Sequence, residues 1–252
     1  MGIVAARDFN VAYILLDSAF LLLLAGLLLW KRRYLTALWG LFGGILYFAV
    51  DYGVFHLLLH TRSITGGSLF WVLLWMSMSY GFTNFVWIWL CLDRDRHLTE
   101  WTLLLVSWWL ACPMLAEMIP SGAIHIQRTT GSYHGWMGVI LFLSYLGVIL
   151  WNLRREDRAG RVNLLRLWAI GVGAQFGWEF SLLLGGIRSA GMPLEAQLRT
   201  LAVNSLVETN LGMPAIFGLY LLLTARWQED LRPRGQTIGA RFAENQAMRC
   251  RR

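Results

Sequence analysis

Charge is scarce in this chain. Asp, Glu, Lys and Arg make up 15% of its 252 residues, against about 25% in an ordinary soluble domain. Apolar side chains take their place, at 57% of the total, and they fall in long runs, so a soluble globular domain is excluded. Lysine is nearly missing. Lys31 is the only one, so no apolar run carries the lysine that a retinal Schiff base needs, and a rhodopsin is excluded. Cysteine is sparse too: Cys91, Cys112 and Cys250 show no metal-ligand spacing and imply no disulfide framework. Several motifs are absent. There is no G-x-x-x-x-G-K-[ST], no G-x-G-x-x-G in a nucleotide context, no G-x-S-x-G and no H-E-x-x-H, which removes the usual signatures of nucleotide, nucleophile-elbow and zinc-protease chemistry. No aspartate-rich run for magnesium diphosphate occurs. Asp93 and Asp95 form a short D-x-D that reads as loop pairing with Arg94 and Arg96.

What is present is a series of seven apolar segments near 11–30, 35–59, 69–91, 101–119, 133–153, 164–187 and 201–225. Each is long enough, at about 20 residues, to cross a bilayer as a helix. In lipid the backbone must satisfy itself within each segment, so the expected fold is an all-α polytopic bundle of seven transmembrane helices. Residues 1–227 form that domain, and 228–252 a basic, flexible tail. The first apolar run is too long for a cleavable signal and precedes its basic cluster.

The net charge of +7 is carried by loops. Lys31, Arg32, Arg33, Arg94, Arg96, Arg154, Arg155, Arg158, Arg161, Arg166 and the tail arginines lie on one side. Only Arg7, Arg62, Arg128, Arg188 and Arg199 lie on the other. The positive-inside rule then sets the N-terminus outside and the C-terminus in the cytoplasm, in a bacterial inner membrane. This basicity calls for no nucleic acid.

Ionisable residues inside the spans crowd toward the outer half: Asp17, Asp51, Glu117, Glu179 and Glu208, with Asn204 and Asn210. A charge near the centre of a spanning helix costs roughly 2.5 to 3.5 kcal/mol even on insertion scales, so each must be protonated, paired or wet. Helical spacing puts Gln175 and Glu179 on one face. It puts Thr200, Asn204, Glu208 and Gly212 on another, and Tyr47, Asp51 and Phe55 on a third. Three such stripes would bring Asp51, Glu179 and Glu208 around one outer-half cavity as candidate catalytic groups, since carboxyls sharing a dry site divide into acid and base. The plainer role is hydrogen bonding between helices; for Asp17 and Glu117 it is hydration. Trp75, Trp108, Trp109 and Trp178 lie deep and, with Gln175, Asn204, Tyr47 and Phe55, are candidate substrate contacts, because an aromatic face stabilises a cation. Packing is their ordinary use. His56 and His60, with His134 on the same side, have partial zinc-ligand spacing; interfacial histidines are the simpler account, and no cofactor is required. Gly173 and Gly177 form a G-x-x-x-G suited to close packing around the sixth span.

Gln175-Phe176-Gly177-Trp178-Glu179-Phe180 resembles the N-x-x-W-E signature of the seven-helix, membrane-integral terpene cyclases of meroterpenoid pathways, with Gln in place of Asn and the motif on the sixth span. The resemblance implies that an intramembrane Glu and a second carboxylate protonate an alkene or epoxide, and it carries over to Trp178 and Glu179. The expected function is thus an acid-initiated, lyase- or isomerase-type enzyme acting on a lipophilic, isoprenoid substrate. A proton-coupled carrier using the same carboxylates is the alternative, with Pro113, Pro193 and Pro214 at helix breaks. An assembly or binding subunit is the third reading.

Overall fold

The computed structural model describes residues 6–128, 133–156, 161–188 and 192–230, with side chains to residue 225 in the last stretch. The tail expected to be flexible lies outside these residues from 231 on. The chain divides into two units, Met1–Met213 and Pro214–Arg252.

The first unit begins with β1 (Ala6–Asn10), α1 (Val11–Trp30) and α2 (Tyr34–Phe48), which runs on as a π-helix over Ala49–Leu58. Next come β2 (Arg62–Thr65), α3 (Leu69–Leu92), α4 (Leu98–Glu117), β3 (Ala123–Arg128), α5 (His134–Arg154), α6 (Leu164–Leu184) and α7 (Leu194–Val207), followed by a 3-10 turn, Asn210–Gly212. The second unit is the remainder of α8 (Met213–Asp230), in which Thr224 Oγ1 donates back to the Tyr220 carbonyl at 2.8 Å.

Among the described residues seven runs are long and apolar enough to cross a membrane; six match the expected segments to within three residues, and the seventh starts earlier than expected. The seventh, Leu194–Ala225, is 32 residues long and contains the 3-10 break. Leu22, Leu153 and Leu165 are exposed, and α5 buries no residue at all. Helices apolar on every side need an apolar surrounding. α3 is the axis of the unit and the most deeply buried of its helices. Its tightest neighbour is α2: a Cβ on Gly81 would stand 2.8 Å from the Gly44 Cα. Gly173 and Gly177, expected to bring helix backbones together, instead seat the rings of Trp87 and Trp109.

The bundle is not purely helical. β1, β3 and β2 pair in that order as an antiparallel sheet, extended by a bridge from Arg7 to Arg188. All of these segments lie at one end of the helices. The strands alternate as a sheet with one covered face must. Arg7, Arg62, Ile124 and Ile126 are buried, while Asp8, Ser63 and Gln127 are exposed. The cap is fastened by Asn10, whose Oδ1 accepts from the Tyr13 N–H to start α1 while its Nδ2 donates to the Ala116 carbonyl ending α4, at 2.9 and 2.8 Å.

Candidate functional site

The inward face of the sheet delivers arginines onto the carboxylates of the helices. In β2 and β3, Arg62 and Arg128 are directly opposite in register. Like charges so placed repel, and here both close on Asp51. Arg62 Nε lies 2.7 Å from Asp51 Oδ1, and Arg128 Nη2 lies 2.8 Å from Oδ2. Asp51 is 2% exposed and sits in the π-helical end of the second span; π-segments recur at functional sites. The Phe55 ring covers the Arg62 guanidinium at 4.5 Å. On the other side of the cluster, Glu179 is 1% exposed, pairs with Arg188 and has Arg7 Nη2 at 3.7 Å.

Glu208 closes the arrangement differently. It follows α7, just before the 3-10 turn. Among the described residues no guanidinium reaches it within ion-pair distance. Its Oε2 accepts instead from Gln175 Nε2 at 2.8 Å. The same amide donates to Glu179 Oε1 at 3.3 Å, so Gln175 couples the two carboxyls. Thr209 Oγ1 donates to Gln175 Oε1 at 2.6 Å, and Tyr47 Oη in turn lies 3.0 Å from Thr209 Oγ1. Tyr47, Thr209, Gln175 and Glu208 thus form one directed hydrogen-bond chain. Tyr80 sits at the centre of the cluster, stacked on Trp178 with Tyr47 and Arg128 beside it.

The electrostatics of the strand arginines follow from this crowding. Burial pushes Arg62 down, Arg128 opposite pushes the same way, and Asp51 only partly offsets them. Arg128 is also buried, yet Asp51, Tyr80 and Glu208 outweigh that and raise it. Arg7 is pulled down to about 9 by burial, then by Arg128 and Arg188. Four guanidiniums face three carboxylates, so the fully ionised cluster carries one excess positive charge.

Comparison with known protein families, with curated proteins and with solved structures returns no match. The reading of the site therefore rests on its own geometry.

Several expectations change. The carboxylates do gather at one end, but arginines fill the space between them, and the cavity left beside Arg7 and Trp178 is about 10 Å³. That is room for about one water, not for a substrate. A larger cavity of about 190 Å³ lies at the rim, between β1, the end of α4 and Gly185–Ile187. The stripe from Thr200 to Gly212 is cut, because α7 stops at Val207. Trp75 and Trp108 serve another group: their indole N–H groups donate to Asp17 at 3.0 and 3.2 Å. Asp17 itself is 2% exposed, not hydrated, whereas Glu117 is exposed. Trp109 packs edge-on against Trp178 at 5.6 Å. Asn204 is buried with its Nδ2 unpartnered. His56 packs against Tyr52, and His60 stands apart at a positive φ of 50°. Among the described residues no three His, Cys, Asp or Glu side chains, His134 included, come together as a metal cluster.

The residues that sequence reasoning passed over are Arg7, Arg62, Arg128 and Arg188. They entered only as the sparse basic residues of the poorly charged side. Two signals pointed to them. Each flanks an apolar run on the side where the span carboxyls crowd, and Ala123–Arg128 alternates apolar and polar as a half-covered strand does.

Proposed function

We propose that this protein is an integral membrane enzyme, with the sheet on the non-cytoplasmic side of a bacterial inner membrane, that acts on a lipophilic substrate by carboxylic-acid protonation, and that Glu208 is the acid. The observation that carries the proposal is the contrast among the three carboxyls. Asp51 and Glu179 are each engaged by guanidiniums, and a carboxylate so paired has no proton to give. Glu208 has only a neutral amide donor. A carboxyl left unpaired inside a membrane is cheapest as the neutral acid, and a neutral acid among fixed cations is arranged to protonate a substrate and leave its own anion stabilised. The Trp178-Glu179 resemblance to membrane-integral cyclases supports the substrate class; the role it lends to Glu179 passes to Glu208.

Orientation has its own support. The sheet side is the poorly basic side, and four of its five arginines are the ones paired inward. The free positive charge is therefore even more one-sided than the sequence count.

The test is infrared difference spectroscopy on the full chain in lipid. The protonated carboxyl C=O band vanishes in Glu208→Gln and stays in Glu179→Gln; the reverse pattern removes Glu208 as the acid. With isoprenoid substrates in the same membranes, Glu208→Gln loses product formation while retaining the folded state. The carrier reading is favoured by one observation, the hydrogen-bond chain that meets the helix break after Val207. Substrate-driven proton uptake into proteoliposomes, lost with Glu208→Gln, would establish it in place of the enzyme.

A further inference from the structure

We infer, resting on the reading of this chain as a membrane enzyme for a lipophilic substrate, that the groove between α5 and α6 is the lateral berth of an isoprenoid chain. The Tyr145–Asn210 hydrogen bond is the gate between that berth and Glu208. The space beside Arg7 and Trp178 has room for about one water, so the body of a substrate must lie beside the cluster and not within it.

The groove has a volume of about 290 Å³ and is lined by α5 from Gly138 to Ile149 and by Trp168 of α6. Its lining carries no charged side chain, and its one hydroxyl, Tyr145 Oη, already donates to Asn210 Oδ1 at 2.5 Å. From Gly138 to Ile149 the helix advances about 16 Å, enough for a farnesyl-sized chain laid along it. The groove leads to the acid along a single face of α6, on which Trp168, Gly171 and Gln175 stand at i, i+3 and i+7. A Cβ on Gly171 would stand 2.7 Å from Asn210 Oδ1, and Gln175 Nε2 donates to Glu208 at 2.8 Å. Gly171 and Gln175 are one turn apart, about 6 Å. The hydroxyl of the groove and the proposed acid are therefore neighbours along the same helix face.

The other sides of the acid are closed by Gln175 of α6, by Tyr47 and Thr209, and by the strand arginines. α5 is the wall that buries nothing. Asn152 fastens one end of it by exchanging two hydrogen bonds with Val162, both at 2.8 Å. Midway, Tyr145 latches it to Asn210, and among the described residues no other α5 side chain hydrogen-bonds to the bundle. An element held by so few buried contacts opens at low cost, and a substrate dissolved in the bilayer then reaches Glu208 without crossing the sheet. Lipid and groove are equally apolar, so no hydrophobic gain draws a chain in, and selection falls to packing. Phe142, Tyr145 and Trp168 give the groove an uneven, ring-bearing wall, and Gly138, with nothing within 4 Å of its Cβ position, leaves room at one end. A branched isoprenoid fills such a surface with its methyl groups, whereas a straight acyl chain leaves gaps and forfeits those contacts.

The experiment uses the full chain in phosphatidylcholine nanodiscs, a farnesol analogue with a diazirine on its terminal isoprene unit, and peptide mapping by mass spectrometry. Saturable labelling of the groove stretch of α5 and of Trp168 is expected, displaced by farnesol and not by palmityl alcohol. Gly138→Trp sets a ring into open space and should abolish this labelling while thermal unfolding stays that of the wild type. Tyr145→Phe keeps the ring and lifts the latch, so labelling should extend to the peptide that carries Glu208. No saturable labelling, equal displacement by palmityl alcohol, or wild-type labelling in Gly138→Trp would overturn the berth. An unchanged pattern in Tyr145→Phe would overturn the gate. Should Gly138→Trp fail to fold, Ile149→Trp, at a groove position 40% exposed, decides by the same criterion. Labelling needs no turnover: a labelled groove without product counts against the acid chemistry and upholds the berth, and product without a labelled groove does the reverse.

Discussion

Asp51→Asn is the sharpest test of the cluster. The substitution keeps shape and removes one charge, leaving Arg62 and Arg128 opposite each other across a strand pair with no anion between them. Unit charges about 4 Å apart interact by ~4 kcal/mol at an effective dielectric near 20. Breaking a buried ion pair from one side costs about 3–5 kcal/mol, because the stranded charge stays buried. Arg62 is 5% exposed and its Nη2 already lacks a partner, so it cannot turn to water without opening the sheet. A loss of about 3–5 kcal/mol is therefore expected, read by reversible SDS unfolding in bicelles with tryptophan fluorescence. Arg62→Gln in the same background should restore part of it, since the double variant leaves one cation to accommodate instead of two; a positive coupling above ~1 kcal/mol is the signature of direct contact. If Asp51→Asn costs under ~1 kcal/mol, the range of a solvent-exposed pair, then water reaches Asp51 and the description of a sealed cluster is wrong.

Other consequences are simpler to check. Gly81→Ala places a Cβ 2.8 Å from the Gly44 Cα, so α2 and α3 must part, at a cost of about 1–3 kcal/mol in the same unfolding assay; the equivalent change at Gly53, with nothing within 4 Å, should show none of this overpacking cost. Trp108→Phe leaves Asp17 Oδ1 without its indole donor, a loss of about 1–3 kcal/mol, and restoring an N–H donor at that position should recover it.

Much of the architecture could be read before any coordinates. Length and hydropathy located six of the seven runs to within three residues at each end, because a long apolar helix is specified by its own composition; the seventh begins seven residues before the expected 201, at Leu194. The sheet was not legible in the same way. Strands of 4 to 6 residues lie between long helices, and in so short a stretch period-two alternation is a faint signal beside the apolar runs around it. Nor was the break of the seventh run after Val207 visible, since Asn204, Glu208 and Gly212 keep helical spacing straight through it.

The candidate site divides along the same line. That Asp51, Glu179 and Glu208 belong to one end of the bundle follows from the sequence by itself, from their positions along runs that alternate in direction from one to the next. Which of them is paired was decided only in three dimensions. Asp51 meets arginines 11 and 77 residues away, and Glu179 meets Arg7, from the opposite end of the unit. Helix periodicity reports which side chains share a face, whereas an ion pair depends on which loops fold back over that face. Here the loops form a sheet, and it is the sheet that carries the arginines inward.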